Sequence, residues 1–171
     1  MNESHTETRK DPMPRFSAAA MREVETIYTR YPPEYRRSAL LPILHLAQRE
    51  FGGWLSRETL EYVAELTGIP PVRVHEVATF YTMYNLRPVG KYHVQVCTNI
   101  SCWLCGSDLV VKALQEKLRL GWGETSADGR FTLTEVECLG ACVNAPTLQI
   151  NDDYHEDLTP EKVVEIIDRL P

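Results

Sequence analysis

The sequence is short of positive charge and has no long apolar run. Its 171 residues include 18 Lys and Arg against 24 Asp and Glu, which gives a net charge of −6. A protein that binds nucleic acid by neutralising phosphates needs a basic face, so this deficit argues against nucleic acid as a partner. The most apolar stretch, residues 38–47, is short and is interrupted by Pro42 and His45. We therefore expect no membrane span and no direct insertion into a membrane.

Two further shortages concern the N-terminus and the cysteines. Residues 1–7 contain no basic segment followed by an apolar one, so we expect no secretory signal and a cytoplasmic location. The cysteines number only five. An odd number of cysteines in a chain without an export signal argues against a framework of disulfides. It favours metal or redox chemistry in a reducing compartment.

Charge and sulfur are unevenly distributed along the chain. Residues 1–90 carry 11 basic and 11 acidic side chains, whereas residues 91–171 carry 7 and 13. The second part also contains every cysteine, namely Cys97, Cys102, Cys105, Cys138 and Cys142. Composition alone therefore divides the chain into a neutral first part and an acidic, sulfur-bearing second part.

The first part has the periodicity of helices. Residues 1–16 are polar and contain Pro12 and Pro14, which predicts a flexible tail. Over residues 17–88 the apolar positions recur at helical spacing, which predicts a small bundle of four helices. The expected boundaries are an N-cap at Ser38, a helix from Ser56 to about Gly68, and a helix opened by Pro70 and Pro71.

The second part, residues 89–171, alternates between strand and helix patterns and predicts a small α/β domain, so the whole chain is α+β. The expected elements are a strand running into Cys97, a helix from about Cys102 to Leu118, a strand with a bulge near Thr134 and Glu135, a short strand over residues 147–150, and a helix capped by Thr159. Asn151 to Asp153 is expected to be a turn.

Four of the cysteines form two spaced pairs. Cys97 and Cys102 enclose four residues, and Cys138 and Cys142 enclose three. Each pair begins near the end of a predicted strand, so two thiol-bearing loops should meet at one rim of the sheet. Four thiolates suit either tetrahedral zinc or an iron–sulfur cluster. Zinc ribbons favour tighter two-residue spacers, so the longer spacers favour a cluster and leave structural zinc as an alternative.

The fifth cysteine, Cys105, allows two further interpretations. With Cys97 and Cys102 it forms C-x4-C-x2-C, the opening of the plant-type ferredoxin signature. With Cys102 alone it forms a CxxC motif typical of a dithiol oxidoreductase on a thioredoxin-like scaffold. The dithiol hypothesis leaves the other three cysteines unexplained and ranks lower for that reason.

Longer motifs surround these cysteines and continue into the first part of the chain. Near the cysteines they are Val96-Cys97-x4-Cys102-Trp103-Leu104, Glu137-Cys138-x3-Cys142, Ala145-Pro146 and Asn151-Asp152-x-Tyr154. In the first part they are Tyr31-Pro32-Pro33-Glu34, Gly53-Trp54-Leu55 and Val77-Ala78-Thr79-Phe80-Tyr81. From about Tyr28 to the C-terminus, the sequence resembles the family of E subunits of the respiratory NADH:quinone oxidoreductase, complex I.

The resemblance implies a helical bundle followed by a thioredoxin-like [2Fe–2S] ferredoxin domain. Carried over position by position, the family's cluster ligands fall on Cys97, Cys102, Cys138 and Cys142. Cys105 departs from the family pattern and receives no ligand role. The segment from Ala145 to Leu148 is similar to the cis-proline loop of thioredoxin folds.

The resemblance also implies a function and partners. The chain would be a non-flavin subunit of an NADH dehydrogenase complex, peripheral to the inner membrane on its cytoplasmic side. It would exchange single electrons between its cluster and the FMN of a partner subunit that also binds NADH. The chain itself has no glycine-rich motif for binding a dinucleotide or a phosphate. This agrees with the binding of NADH and FMN by a partner subunit. The equivalent subunit of an NAD-linked formate dehydrogenase or an NAD-reducing hydrogenase is the nearest alternative.

Overall fold

The computed structural model describes residues 14–171, and the chain divides into two compact units with the boundary between Pro88 and Val89. Most of the predicted tail, residues 1–16, therefore lies outside the described residues. Phe16, its last residue, is buried, stacks on Phe51 at 5.3 Å and meets the Tyr62 ring edge-on at 5.4 Å. The packed bundle thus includes Phe16, because its ring is one wall of an aromatic cluster.

From residue 14 onward, the first unit contains the four expected helices and one short 3₁₀ helix. They are α1 (Ala18–Tyr28), the 3₁₀ helix (Pro33–Ala39), α2 (Leu40–Glu50), α3 (Arg57–Thr67) and α4 (Pro71–Phe80). Ser56 caps α3 by accepting a hydrogen bond from the Thr59 N–H, and Gly68 ends it with φ of +67°. The predicted N-cap at Ser38 is wrong: Ser38 lies inside the 3₁₀ helix, and α2 follows Ala39 without a side-chain cap.

Burial of one apolar stripe from each helix holds this unit together. The most deeply buried side chains include Val24, Ile43, Leu44, Val63 and Val74. The segment after α4 returns to α2 through polar contacts. There the hydroxyl of Tyr84 donates to the Leu41 carbonyl at 2.9 Å, and burial raises the pKa of this phenol above its ordinary value.

The second unit is a mixed four-stranded sheet with helices. Its elements are β1 (Tyr92–Cys97), α5 (Ile100–Leu104), α6 (Ser107–Leu118), β2 (Phe131–Val136), a 3₁₀ turn (Cys142–Asn144), β3 (Leu148–Ile150), β4 (Asp153–His155) and α7 (Pro160–Arg169). The strand order is β2-β1-β3-β4, with β1 and β2 parallel and the other pairs antiparallel. Helices α6 and α7 pack against each other. The core of this unit includes Val94, Val96, Leu114, Leu133 and Val163.

Three of the expected details in this unit are wrong. The single helix from Cys102 to Leu118 is broken, because Gly106 adopts a left-handed φ of +90° between α5 and α6. The expected bulge near Thr134 and Glu135 is absent, since all six residues of β2 pair one to one with β1. The alternation of apolar and polar residues changes there because the end of β2 lies outside the core, where Glu135 is exposed. The segment predicted only as a turn also contributes β4, a short polar edge strand without apolar alternation.

One buried polar residue in the sheet gives a testable pH dependence. His93 in β1 is buried, and its Nε2 lies 2.8 Å from the Thr134 hydroxyl of β2. Burial lowers the pKa of His93 from its ordinary value of 6.5. As the pH falls below about 6.5, the unfolded chain therefore binds a proton that the folded chain does not, so the folded state loses stability.

We expect the free energy of unfolding to decrease between pH 7.5 and pH 5.5, and we expect His93→Gln to make that decrease smaller. Glutamine offers the Thr134 hydroxyl a hydrogen bond without a group that titrates in this range. Urea unfolding followed by far-UV circular dichroism at both pH values measures the difference. An identical pH dependence in the wild type and in His93→Gln would contradict the assignment of this stability loss to His93.

Candidate metal centre

The first cysteine pair lies where β1 passes into α5. Cys97 is the last residue of β1 and Cys102 lies within α5, and both thiols are buried. Between them, Asn99 is the N-cap of α5, and its side-chain oxygen accepts a hydrogen bond from the Ile100 N–H at 2.7 Å. This tight connection places Cys102 close enough to Cys97 to raise the pKa of the Cys97 thiol.

The second cysteine pair lies on the loop after β2. Cys138 and Cys142 are both exposed. Gly140 turns this loop with φ of +76°, and its N–H donates to the Cys138 Sγ at 3.3 Å. The hydroxyl of Tyr154 in β4 donates to the Leu139 carbonyl at 2.9 Å, so the loop is fixed to the far strand of the sheet.

Parallel pairing of β1 and β2 brings the two loops together. Cys97 is in register with Val136, and the Thr98 N–H donates to the Val136 carbonyl at 3.2 Å. The Cys97 thiol also donates to the Glu137 carbonyl at 3.7 Å. Because parallel strands end at the same edge of a sheet, both thiol-bearing loops begin side by side.

A third segment completes the inner wall of the site. The Ala145–Pro146 peptide bond is cis, and the next residue, Thr147, is 1% exposed. The Thr147 carbonyl accepts a hydrogen bond from the Cys97 N–H at 3.2 Å, and its hydroxyl lies 3.8 Å from the Cys102 Sγ. The sequence predicts this loop but does not predict the contact between the Thr147 hydroxyl and Cys102. In the sequence, Thr147 is distinguished solely by its position directly after the proline.

The surroundings of the Cys97 sulfur favour the thiol over the thiolate. Burial raises the pKa of Cys97 and the neighbouring Cys102 raises it further, against the backbone N–H groups of Asn99 and Leu139, which favour the thiolate. A metal binds the thiolate rather than the thiol, so binding at this position must release a proton. The same backbone N–H groups then stabilise the charge that remains on the sulfur.

Cys105 is placed apart from this arrangement. It is the C-cap directly after α5, is exposed, and its thiol makes no hydrogen bond within residues 14–171. Cys102, by contrast, is 1% exposed. One exposed and one buried thiol give the dithiol interpretation no positive support, and it still leaves Cys97, Cys138 and Cys142 without a role.

The donor set suits an iron–sulfur cluster. Over residues 14–171, no group of three or more His, Cys, Asp or Glu side chains is already gathered closely enough to hold one metal ion. The four thiols instead form two pairs on adjoining loops, one buried and one exposed. Sulfur-only ligands in two separate pairs match a two-iron cluster better than a single tetrahedral ion with tight spacers. The residues present therefore fit a [2Fe–2S] group.

The mixed sheet, the packed helices α6 and α7 and a cis-proline beside a buried thiol define a thioredoxin-like protein with thiols on two adjoining loops. The thioredoxin-like [2Fe-2S] ferredoxin family model matches residues 24–171. The chain belongs to this family. The predicted fold class, α+β with a C-terminal thioredoxin-like [2Fe–2S] domain, is thereby confirmed.

Curated relatives are similar over nearly the whole chain. The E subunit of the NADH-quinone oxidoreductase of Rickettsia bellii is 60% identical over 146 residues, which cover 85% of this chain and 87% of that protein. The corresponding protein of Rickettsia conorii is 56% identical over 155 residues, covering 91% of this chain and 93% of that protein. The mitochondrial NADH dehydrogenase [ubiquinone] flavoprotein 2 of Dictyostelium discoideum is 48% identical, covering 91% of this chain and 63% of that protein. The predicted resemblance is confirmed.

Among solved structures, an NAD+-reducing [NiFe]-hydrogenase in the air-oxidized state has a similar fold. Its TM-score is 0.65 at 21% sequence identity, over 76% of this chain and 22% of that chain. At this identity the likeness concerns the fold alone. It therefore gives no support to the hydrogenase alternative over the relatives of much higher identity.

The ligand set is tested by serine substitutions. We expect Cys105→Ser to keep full iron and acid-labile sulfide content, because this exposed thiol lies outside the two paired loops. We expect Cys97→Ser and Cys138→Ser to lose the cluster or to change its visible spectrum, because each removes one thiolate from a different pair. Iron, sulfide and absorption measurements on anaerobically purified protein give the answer. Loss of the cluster in Cys105→Ser alone would overturn the ligand set.

Proposed function

We propose that the chain is the peripheral electron-transfer subunit of an NADH:quinone oxidoreductase, complex I, and holds one [2Fe–2S] cluster on Cys97, Cys102, Cys138 and Cys142. The observation that best supports this proposal is the placement of both thiol pairs at the common end of β1 and β2, in a chain 60% identical to the E subunit of an NADH-quinone oxidoreductase. When bound, such a cluster supplies a one-electron redox centre.

In this proposal the two cysteine pairs hold the cluster from two different sides. Cys97 and Cys102 bind it from the buried side, where the sheet and Thr147 exclude water. Cys138 and Cys142 bind it from the exposed side, which leaves an edge that a partner can approach. The Gly140 N–H, 3.3 Å from the Cys138 Sγ, stabilises negative charge on this outer sulfur.

The partner in this proposal is the subunit that binds FMN and NADH, together with the other subunits of the peripheral arm. Large apolar side chains are exposed on the two thiol-bearing segments: Ile100, Trp103 and Leu104 on α5, and Val143 beside Cys142. Exposed apolar groups concentrated in one region are typical of protein–protein contact surfaces. Their presence beside the cysteines supports a role within an assembly.

The proposed location is the cytoplasmic side of the inner membrane. Over residues 14–171, none of the helices combines the length and the apolar character needed to cross a bilayer. We therefore propose that attachment to the membrane is made by other subunits of the complex. The equivalent roles in an NAD-linked formate dehydrogenase or a hydrogenase have less support, because the relatives at 60% and 56% identity are NADH-quinone oxidoreductase subunits.

Affinity purification of the full chain from its own membranes tests the assembly. We expect the tagged chain to bring down a flavin-containing complex that oxidises NADH with a quinone acceptor, because the chain itself has no dinucleotide motif. The Cys105→Ser variant is the matched control and should recover the same complex. An eluate that instead oxidises formate or hydrogen with NAD+, or that contains no flavoprotein, would contradict the proposal.

A further inference from the structure

Thr147 is a buried polar residue that the ligand set leaves unused. It follows the cis Ala145–Pro146 bond and is 1% exposed. Its carbonyl holds the backbone of Cys97, while its hydroxyl lies 3.8 Å from the Cys102 Sγ. Thr147 thus contacts both residues of the buried cysteine pair from the position directly before β3, the strand that pairs with β1 on the side opposite β2.

The Thr147 hydroxyl has a polar partner in the Cys102 sulfur and is shielded from water. In the free thiol form either atom can donate the hydrogen bond. A cysteine that holds iron is a thiolate and carries no proton. Only the Thr147 hydroxyl can then donate, so iron binding at Cys102 fixes the direction of this hydrogen bond.

We propose that Thr147 is a positioning residue whose hydroxyl donates a hydrogen bond to the Cys102 sulfur and raises the reduction potential of the cluster held there. This inference rests on the proposed function. Adding one electron increases the negative charge that the sulfur ligands share, and a donated hydrogen bond stabilises the more negative state. The effect opposes that of the acidic second part of the chain, which disfavours the added electron.

Burial makes the Thr147 hydroxyl more influential than the backbone donor on the outer side of the site. The Gly140 N–H donates to Cys138, but Cys138 is exposed, so water can replace that hydrogen bond. Cys102 and Thr147 are each 1% exposed. In such low-dielectric surroundings a hydrogen bond is stronger and no water takes its place when it is removed.

Redox titration of the full, cluster-loaded chain tests the inference. In Thr147→Val the isosteric side chain lacks the hydroxyl, and we expect the ratio of reduced to oxidised cluster at a fixed potential to fall about three- to tenfold. That shift equals ~28 to ~59 mV for a one-electron couple. Thr147→Ser keeps the hydroxyl and should keep the wild-type potential. The matched control is Thr132→Val, since Thr132 is also buried but its hydroxyl bonds Gly90 and Thr125.

Each outcome decides between a hydroxyl effect and a packing effect. An unchanged potential in Thr147→Val, or an equal shift in Thr147→Ser or Thr132→Val, would overturn the inference. If Thr147→Val takes up no iron, Thr147→Ala removes the same hydroxyl with a smaller side chain. Failure of both to load while Thr147→Ser loads supports the hydroxyl contact, whereas failure of all three shows that packing alone matters. A wild-type chain without a [2Fe–2S] spectrum would instead refute the proposed function.

Discussion

The parallel pairing of β1 with β2 is the constraint on which the site depends. Six consecutive residue pairs, from Tyr92 with Phe131 to Cys97 with Val136, fix the register. A slip by one residue would turn the alternate side chains to the opposite face and remove Val94 and Val96 from their packing, where both are fully buried. Core packing therefore enforces the register, and the register in turn sets the two cysteine loops beside each other. The proximity of the two cysteine loops is therefore a consequence of how the core is filled.

Burial divides the site into an inner and an outer side. The inner pair, Cys97 and Cys102, is enclosed by β1, α5 and the cis-proline segment, and Thr147 bonds to both of its members. The outer pair, Cys138 and Cys142, lies on an exposed loop that is held by contacts such as that of Tyr154 with Leu139. A rigid inner side suits the retention of a charged group, and an accessible outer side suits exchange of electrons with a partner. This asymmetry is the physical basis of the proposed role.

Much of this arrangement could be predicted from local sequence, and the failures have local causes. Ser56 and Gly68 mark the ends of α3 because their roles depend on near neighbours alone. The break at Gly106 was missed because helical periodicity continues on both sides of it and a glycine within a helix pattern need not adopt positive φ. The strand β4 was missed because three polar edge residues carry no apolar alternation. The contact of Thr147 with Cys102 joins residues 45 positions apart, which no pattern of spacing along the chain specifies.

Native mass spectrometry of the intact, anaerobically purified chain tests the central claim most directly, because it counts the atoms bound to a folded polypeptide. The account predicts a single species heavier than the bare chain by two irons and two sulfides, the content of one [2Fe–2S] cluster. Collision-induced unfolding should release that mass only when the second unit opens. A species carrying one zinc ion, or a folded chain that carries no added mass, would contradict the account.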